Sequence, residues 1–154
     1  MADPKEWGPV VWKILHIVTE QLGKNTIPVM QNDEMTYYKA FQRKVYYILP
    51  CKLCRQHYKD YYKNIRDVDY GKFKETSKIF FLNLHNDVNI RNSAKQFTFD
   101  ELNIYTQYSK NDLDIIMNEF TTLYRKYTNL HYIAFDELKD FNRILTLLRR
   151  FINF

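Results

Sequence analysis

Apolar residues recur at helical spacing along most of this chain, and few residues interrupt them. Only three glycines and four prolines occur among 154 residues, and these are the residues that most often break a helix. No segment shows the alternation of apolar and polar residues that is typical of strands. The sequence therefore predicts an all-α protein, a helical bundle.

The same spacing predicts where the individual helices lie. Pro50 stands at a position that suits the start of a helix, so Cys51 is expected to open one. An acidic first turn follows Thr98 in the segment TFDEL, which predicts a capped helix start there. The expected helices are one that ends at Gly23, one over about 33–49, one opened by Cys51, one over about 73–89, one that starts within 98–102, and two apolar stripes over 113–127 and 138–152.

Composition excludes several function classes. The net charge of +5 is spread along the chain, so it does not favour nucleic-acid binding. No segment is long and apolar enough to predict a membrane span, and the N-terminus lacks the apolar stretch of a signal peptide. A cytosol-like location is therefore expected. No GxGxxG or Walker loop occurs, so any nucleotide would have to bind between helices.

The only two cysteines are three residues apart, Cys51 and Cys54. Side chains at i and i+3 of a helix face the same way, at a separation compatible with a disulfide. A helix N-terminus, together with Lys52 and Arg55, would stabilise a thiolate at Cys51, and a thiolate is the nucleophile of thiol–disulfide exchange. This pattern favours redox chemistry.

Zinc binding is the alternative. Cys51, Cys54 and His57 could supply three ligands, with His85 or His16 as the fourth. Structural zinc sites usually contain a second closely spaced pair, which this sequence lacks. The CxxC spacing alone does not decide between a redox pair, a zinc site and two inert thiols.

Two further motifs flank the cysteines. WGPVVWKILH places Trp12 and His16 at i and i+4 of the first helix, and LHNDVN places His85 and Asn89 at the same spacing of the fourth. Each motif alone is commonly explained by core packing. Their occurrence in this order, on either side of a PCxxCxxH motif, is not explained in that way.

This arrangement resembles the Erv/ALR family of FAD-dependent sulfhydryl oxidases, in the form carried by large DNA viruses. The resemblance covers about residues 7–105 and implies a four-helix bundle with a short fifth helix that binds FAD. It divides the chain into an oxidase domain, 1–108, and a helical C-terminal extension, 109–154. The extension could pack on the domain, form a dimer interface or bind a partner.

The resemblance also implies the residues of the cofactor site. Glu20 stands where the family often has a tyrosine, and Phe97 or Phe99 would replace a tryptophan late in the site. Arg91 and Lys95 would meet the pyrophosphate. The remaining residues expected around FAD are Gly8, Trp12, His16, Cys54, His57, His85, Asn86, Val88 and Asn89.

The implied reaction is the oxidation of substrate thiols. A substrate thiolate would attack Cys51, expected to be the more exposed sulfur, and Cys54 would pass the electrons to FAD and then O2, which gives H2O2. The expected partners are a protein dithiol, such as a thioredoxin-like CxxC protein, and a second copy of the chain in a homodimer. If the source is viral, the expected location is the host cytoplasm and the virion.

Overall fold

The protein is a bundle of helices. In the computed structural model, which describes residues 2–154, no strand is present, and the predicted all-α fold is confirmed. No helix in these residues has both the length and the apolar character needed to cross a membrane. The helices are α1 (Pro4–Glu20), α2 (Pro28–Ile48), α3 (Lys52–Tyr62), α4 (Tyr70–Arg91), a 3₁₀ helix (Asp100–Gln107), α5 (Lys110–Asn129) and α6 (Phe135–Leu148).

Local side-chain chemistry explains several helix ends. Asp3 caps α1 by accepting a hydrogen bond from the Lys5 amide at 2.9 Å, and Pro4 occupies the first turn, where no amide hydrogen is needed. After α1, Gly23 adopts φ +82°, a left-handed conformation that favours glycine. At the start of α5, Ser109 and Asp112 form a reciprocal capping box, which satisfies two amides.

Two predicted helix starts differ from the structure. Helix α2 begins at Pro28 rather than near residue 33, because proline is compatible with the first turn of a helix. Helix α4 begins at Tyr70 rather than near residue 73. The helix expected to start within 98–102 begins at Asp100, as a 3₁₀ helix. Cys51 opens α3 as predicted, although as its N-cap residue, with Pro50 one position earlier.

The C-terminal helices pack on the core of the same chain. Helix α5 lies against α1, and α6 lies against α2. The Phe141 ring of α6 lies between Phe41 of α2, at 5.5 Å, and Phe120 of α5, at 5.6 Å. These rings are 0–1% exposed, so the extension contributes to the same apolar core as α1 and α2.

Polar contacts also hold the extension in place. The Tyr127 hydroxyl donates to Glu6 at 2.6 Å, and the Asn25 amide donates to the Phe151 carbonyl at 2.6 Å. The apolar stripe over 138–152 is buried within the chain, so packing is the role that the structure gives it and the stripe is not available to a second copy. The domain boundary after residue 108 stays a prediction.

Replacement of Phe141 tests this packing. Phe141→Ala should lower the free energy of unfolding by about 3–5 kcal/mol, because it leaves a cavity between α2, α5 and α6. Phe135→Ala, in the same helix but at a side chain that is 67% exposed, should change it by less than about 0.5 kcal/mol. Urea unfolding followed by circular dichroism measures both values. Equal losses would show that α6 does not pack in this way.

Candidate active site

Five aromatic side chains from four parts of the chain lie together, and we name them the ring cluster: Trp12, His16, His85, Phe97 and Tyr105. The indole of Trp12 stacks on His85, with centroids 4.1 Å apart and planes 6° apart. His16 lies 5.2 Å from His85 and 4.9 Å from Tyr105. Phe97 lies 5.1 Å from His85.

The cluster forms because α1 packs against α4. Trp12 and His16 are four residues apart on α1, so they share one face of that helix. His85 projects from α4, and the 3₁₀ helix after it brings Tyr105 to the same place. The predicted proximity of Trp12, His16 and His85 is therefore present in the fold.

The two histidines of the cluster are bonded to each other. His16 Nε2 and His85 Nδ1 are 3.0 Å apart, and a hydrogen bond joins them when one of these two nitrogens carries its ring's proton and the other does not. Burial, with the charges of His85 and Lys78, lowers the pKa of His16 to about 3, and burial lowers the pKa of His85 to about 4. Both rings are therefore neutral at physiological pH.

One polar atom of this pair has no partner. His16 Nδ1 is buried and makes no hydrogen bond among the described residues. A buried polar atom without a partner costs about 1–3 kcal/mol. The position is therefore suited to a ligand that can bond to this nitrogen.

A buried ion pair lies beside the histidines. Glu20 of α1 is 2.6 Å from Lys78 and 3.2 Å from Lys74, both on α4. Glu20 and Lys78 are less than 10% exposed, so each charge depends on the other for its stability. Phe99 covers this pair, since the Lys78 ammonium lies 4.8 Å from its ring.

Two asparagines of α4 hold the loop that follows it, residues 92–99. Asn86 bonds to the main chain of Phe97 twice, as donor to its carbonyl and as acceptor from its amide, each at 2.7 Å. Asn89 donates to the Lys95 carbonyl at 2.9 Å. These bonds place Phe97 next to His85, and a direct contact of either asparagine with a cofactor stays a prediction.

The remaining predicted site residues are less constrained. Arg91 pairs with Asp87 at 2.7 Å, and Lys95 is largely exposed with Glu101 at 3.7 Å. Val88 and His57 are half-buried. Within residues 2–154 no hydrogen bond or ring contact joins His57 to the ring cluster or to the cysteines.

Sequence reasoning missed Tyr105. Of the two phenylalanines predicted as late-site aromatics, Phe97 joins the ring cluster, whereas Phe99 covers Lys78. Tyr105 supplies a further ring next to His16. An aromatic residue within the predicted short fifth helix was a visible signal, but nothing in the spacing showed which face of that helix meets α1.

The two cysteines are free thiols at the N-terminus of α3. The Cys51 sulfur caps the helix and accepts a hydrogen bond from the Cys54 amide at 3.2 Å. Cys51 is 8% exposed and Cys54 is half-buried. The prediction that Cys51 is the more exposed sulfur is therefore wrong, because the N-cap position directs its side chain back toward the helix.

The Cys54 thiol holds its proton firmly when the pair is reduced. Burial, together with the hydrogen bond and the charge of Cys51, raises the pKa of Cys54 to about 12, while Arg91 acts in the opposite direction. Two of these causes come from Cys51 itself. Once Cys51 is bonded to another sulfur these two causes disappear, so the pKa of Cys54 falls and its thiolate forms more readily.

The zinc alternative finds no support in the fold. Across the described residues, no group of three or more His, Cys, Asp or Glu side chains is placed so that it could hold a metal ion. His16 and His85, the two candidates for a fourth ligand, bond to each other instead.

Comparisons with known proteins identify a family match and viral relatives. The family model described as the Erv1 / Alr family matches residues 9–109, which is more than half of the chain. A protein of Invertebrate iridescent virus 6 named as an FAD-linked sulfhydryl oxidase is 30% identical over 94 residues, 58% of this chain and 81% of that protein. No solved structure matches the chain.

Two further relatives bear the same kind of name. One, from Invertebrate iridescent virus 3, is 32% identical over 97 residues, which are 61% of this chain and 61% of that protein. The other, from Acanthamoeba polyphaga mimivirus, is 30% identical over 100 residues, 64% of this chain and 67% of that protein.

The neutral histidines make stability depend on pH. Unfolded histidine takes up a proton near its ordinary pKa of 6.5, whereas folded His16 and His85 do so only near 3 and 4. The free energy of unfolding should therefore fall as the pH drops from 6.5 toward 4, by at most about 1.4 kcal/mol per pH unit for each histidine.

Urea titrations between pH 7 and pH 4.5 measure this dependence. His16→Asn should make the fall shallower than in the unsubstituted protein. His131→Asn, at an exposed residue with φ +59°, a conformation that asparagine tolerates, should leave the slope unchanged. If His16→Asn keeps the full slope, His16 is not the buried neutral group described above.

Proposed function

Because the chain belongs to the Erv1 / Alr family, we propose that it is an FAD-linked sulfhydryl oxidase that forms disulfides in partner proteins through Cys51 and Cys54. The observation that carries this proposal is the hydrogen bond from the Cys54 amide to the Cys51 sulfur at the start of α3. The same chain also contains the ring cluster. The first arrangement suits thiol–disulfide exchange, and the second suits a planar cofactor.

The ring cluster fits a flavin nucleotide. Its flat side chains can stack against planar rings, and the unpartnered His16 Nδ1 can bond to a cofactor atom. A Cβ added at the buried Gly8 would meet only the Trp12 ring, at 4.0 Å, so the packing of the chain does not require glycine in α1. Helical glycine costs about 0.5–1 kcal/mol relative to alanine, and a cofactor that approaches Gly8 closely would explain its presence.

Polar residues at the end of α4 would hold the rest of the cofactor. Arg91 and Lys95 are both exposed cations, and they can bond to phosphate oxygens. Arg91 would share its charge between Asp87 and a phosphate. Asn86 and Asn89 would act by holding the loop 92–99 in position.

The chemistry of the reaction divides between the cysteines and the cofactor. FAD held at the ring cluster would supply the acceptor for two electrons and their transfer to O2, with H2O2 as product. In the chain itself, a substrate thiolate attacks the Cys51 sulfur of the oxidised pair, the Cys51–Cys54 bond breaks, and Cys54 leaves as a thiolate. The second substrate thiolate then attacks the first substrate sulfur and releases Cys51, so two electrons have moved to the pair.

The change in charge during the attack supports this assignment of roles. Burial and Cys51 raise the pKa of Cys54 and Arg91 lowers it, so the part of the rise that comes from Cys51 is lost when Cys51 becomes bonded to the substrate sulfur and Cys54 leaves as a thiolate. Cys51, which caps α3, is then the sulfur that the substrate thiolate attacks.

The electron donor is proposed to be another protein. The chain contains two cysteines, so it has no second pair that could carry electrons to Cys51. A protein dithiol, such as that of a thioredoxin-like CxxC protein, would react with Cys51 directly. A homodimer and a location in the host cytoplasm or virion remain predictions, and a dimer would have to use faces other than the buried stripe 138–152.

The first experiment is the visible absorption spectrum of the purified protein, with oxygen uptake recorded after dithiothreitol is added. Flavin bands and dithiol-dependent oxygen uptake are expected. Cys51→Ser and Cys54→Ser should each abolish the oxygen uptake while the flavin bands remain, because neither thiol is needed for the ring cluster. A colourless protein that FAD cannot reconstitute, or one with stoichiometric zinc, would contradict the proposal.

The role of Asn86 is tested by a matched pair of variants. Asn86→Ala removes two hydrogen bonds to Phe97, so it should weaken FAD binding by about tenfold, which corresponds to about 1.4 kcal/mol. Asn83→Ala, at an exposed position of the same helix, should leave the affinity unchanged. Flavin fluorescence during titration of the FAD-free variants measures both constants. Equal affinities would show that the loop is not held by Asn86.

A further inference from the structure

The face of α3 next to Cys51 is basic. Lys52, Arg55 and Lys59 follow one another at intervals of three and four residues, so they lie along one side of the helix. Lys52 and Lys59 are exposed and Arg55 is half-buried. We name these three side chains the α3 basic face.

The charges of this face are not neutralised within the chain. None of the three side chains forms an ion pair with a carboxylate of residues 2–154. Arg55 is held by a hydrogen bond to the carbonyl of Leu49, at 2.9 Å, which orders the guanidinium without cancelling its charge.

Two acidic groups of α3 and α4 are already paired with cations. Asp60 lies 3.4 Å from Lys63 on α3, and Asp87 of α4 lies 2.7 Å from Arg91. No acidic residue lies in the first turn of α3. A partner that approaches Cys51 therefore meets uncompensated positive charge.

An apolar side chain accompanies this charge. Leu53, between the two cysteines, is 63% exposed. An exposed leucine at this position can contact a chain segment that is held against the pair, and such contacts are typical of protein surfaces rather than of small charged ligands.

We propose that the α3 basic face selects the substrate, and that the preferred substrates are protein dithiols with acidic residues beside their cysteines. This inference rests on the proposed oxidase function and adds the substrate class. Opposite charges around the two reacting pairs raise the rate at which they meet and orient them. The exchange is the one described above, in which Cys51 is attacked and the Cys51–Cys54 bond breaks.

Two synthetic peptides test the proposal on the FAD-loaded protein. Each contains one reduced Cys-x-x-Cys pair, and they differ only in whether glutamates or lysines flank the cysteines. From oxygen uptake at about 0.02 M salt, the acidic peptide should have a kcat/KM roughly tenfold higher than the basic one. The preference should largely disappear at about 0.5 M salt, where charges are screened.

Charge reversal tests whether Lys52 and Lys59 cause the preference for the acidic peptide. In the double variant Lys52→Glu/Lys59→Glu, the ratio of the two kcat/KM values should fall to about one or below. The ratio is the proper measure, since a change in the reactivity of Cys51 affects both peptides alike. The control, Lys110→Glu/Lys139→Glu, changes the net charge equally at exposed lysines of α5 and α6, and it should keep most of the preference.

The outcomes separate this inference from the proposed function. Equal rates for the two peptides, or equal effects of the two double variants, would show that the α3 basic face does not select the substrate. Oxygen uptake driven by dithiothreitol would still be present in that case. No oxygen uptake with dithiothreitol would instead overturn the oxidase function itself.

Discussion

The packing of α1 against α4 is the contact on which the candidate site depends. It stacks Trp12 on His85 at 4.1 Å and bonds His85 to His16 at 3.0 Å. The same contact buries Glu20 against Lys78. Because a buried charge or imidazole is costly unless it has a partner, each of these groups is stable only while the two helices remain together. This helix–helix contact therefore brings together the stacked rings and the buried ion pair of the site.

The C-terminal helices complete the apolar core around α1 and α2. Helix α5 packs on α1 and α6 packs on α2, and the rings of Phe41, Phe120 and Phe141 join the two pairs. The chain contains no cysteine besides the pair at Cys51 and Cys54, so no structural disulfide can reinforce the bundle. Aromatic packing supplies that reinforcement instead, which explains why the extension belongs to the core.

The ring cluster and the start of α3 differ in charge and in their surroundings. The ring cluster is neutral and aromatic, as suits a planar cofactor. The start of α3, where Cys51 caps the helix, carries positive charge and faces solvent at Lys52 and Lys59. Helix α3 therefore presents the sulfur pair beside a positively charged, solvent-facing surface.

The sequence by itself determined the all-α fold and the helix that Cys51 opens, and its resemblance to a known family predicted that Trp12, His16 and His85 lie together. Helical periodicity and motif spacing are local properties, so one chain segment at a time reveals them. Only the tertiary structure decided that Cys51 is the more buried sulfur, that Tyr105 joins the ring cluster, and that the stripe 138–152 packs on α2. These features depend on which helix faces meet, and the spacing of residues along one helix does not specify its neighbour.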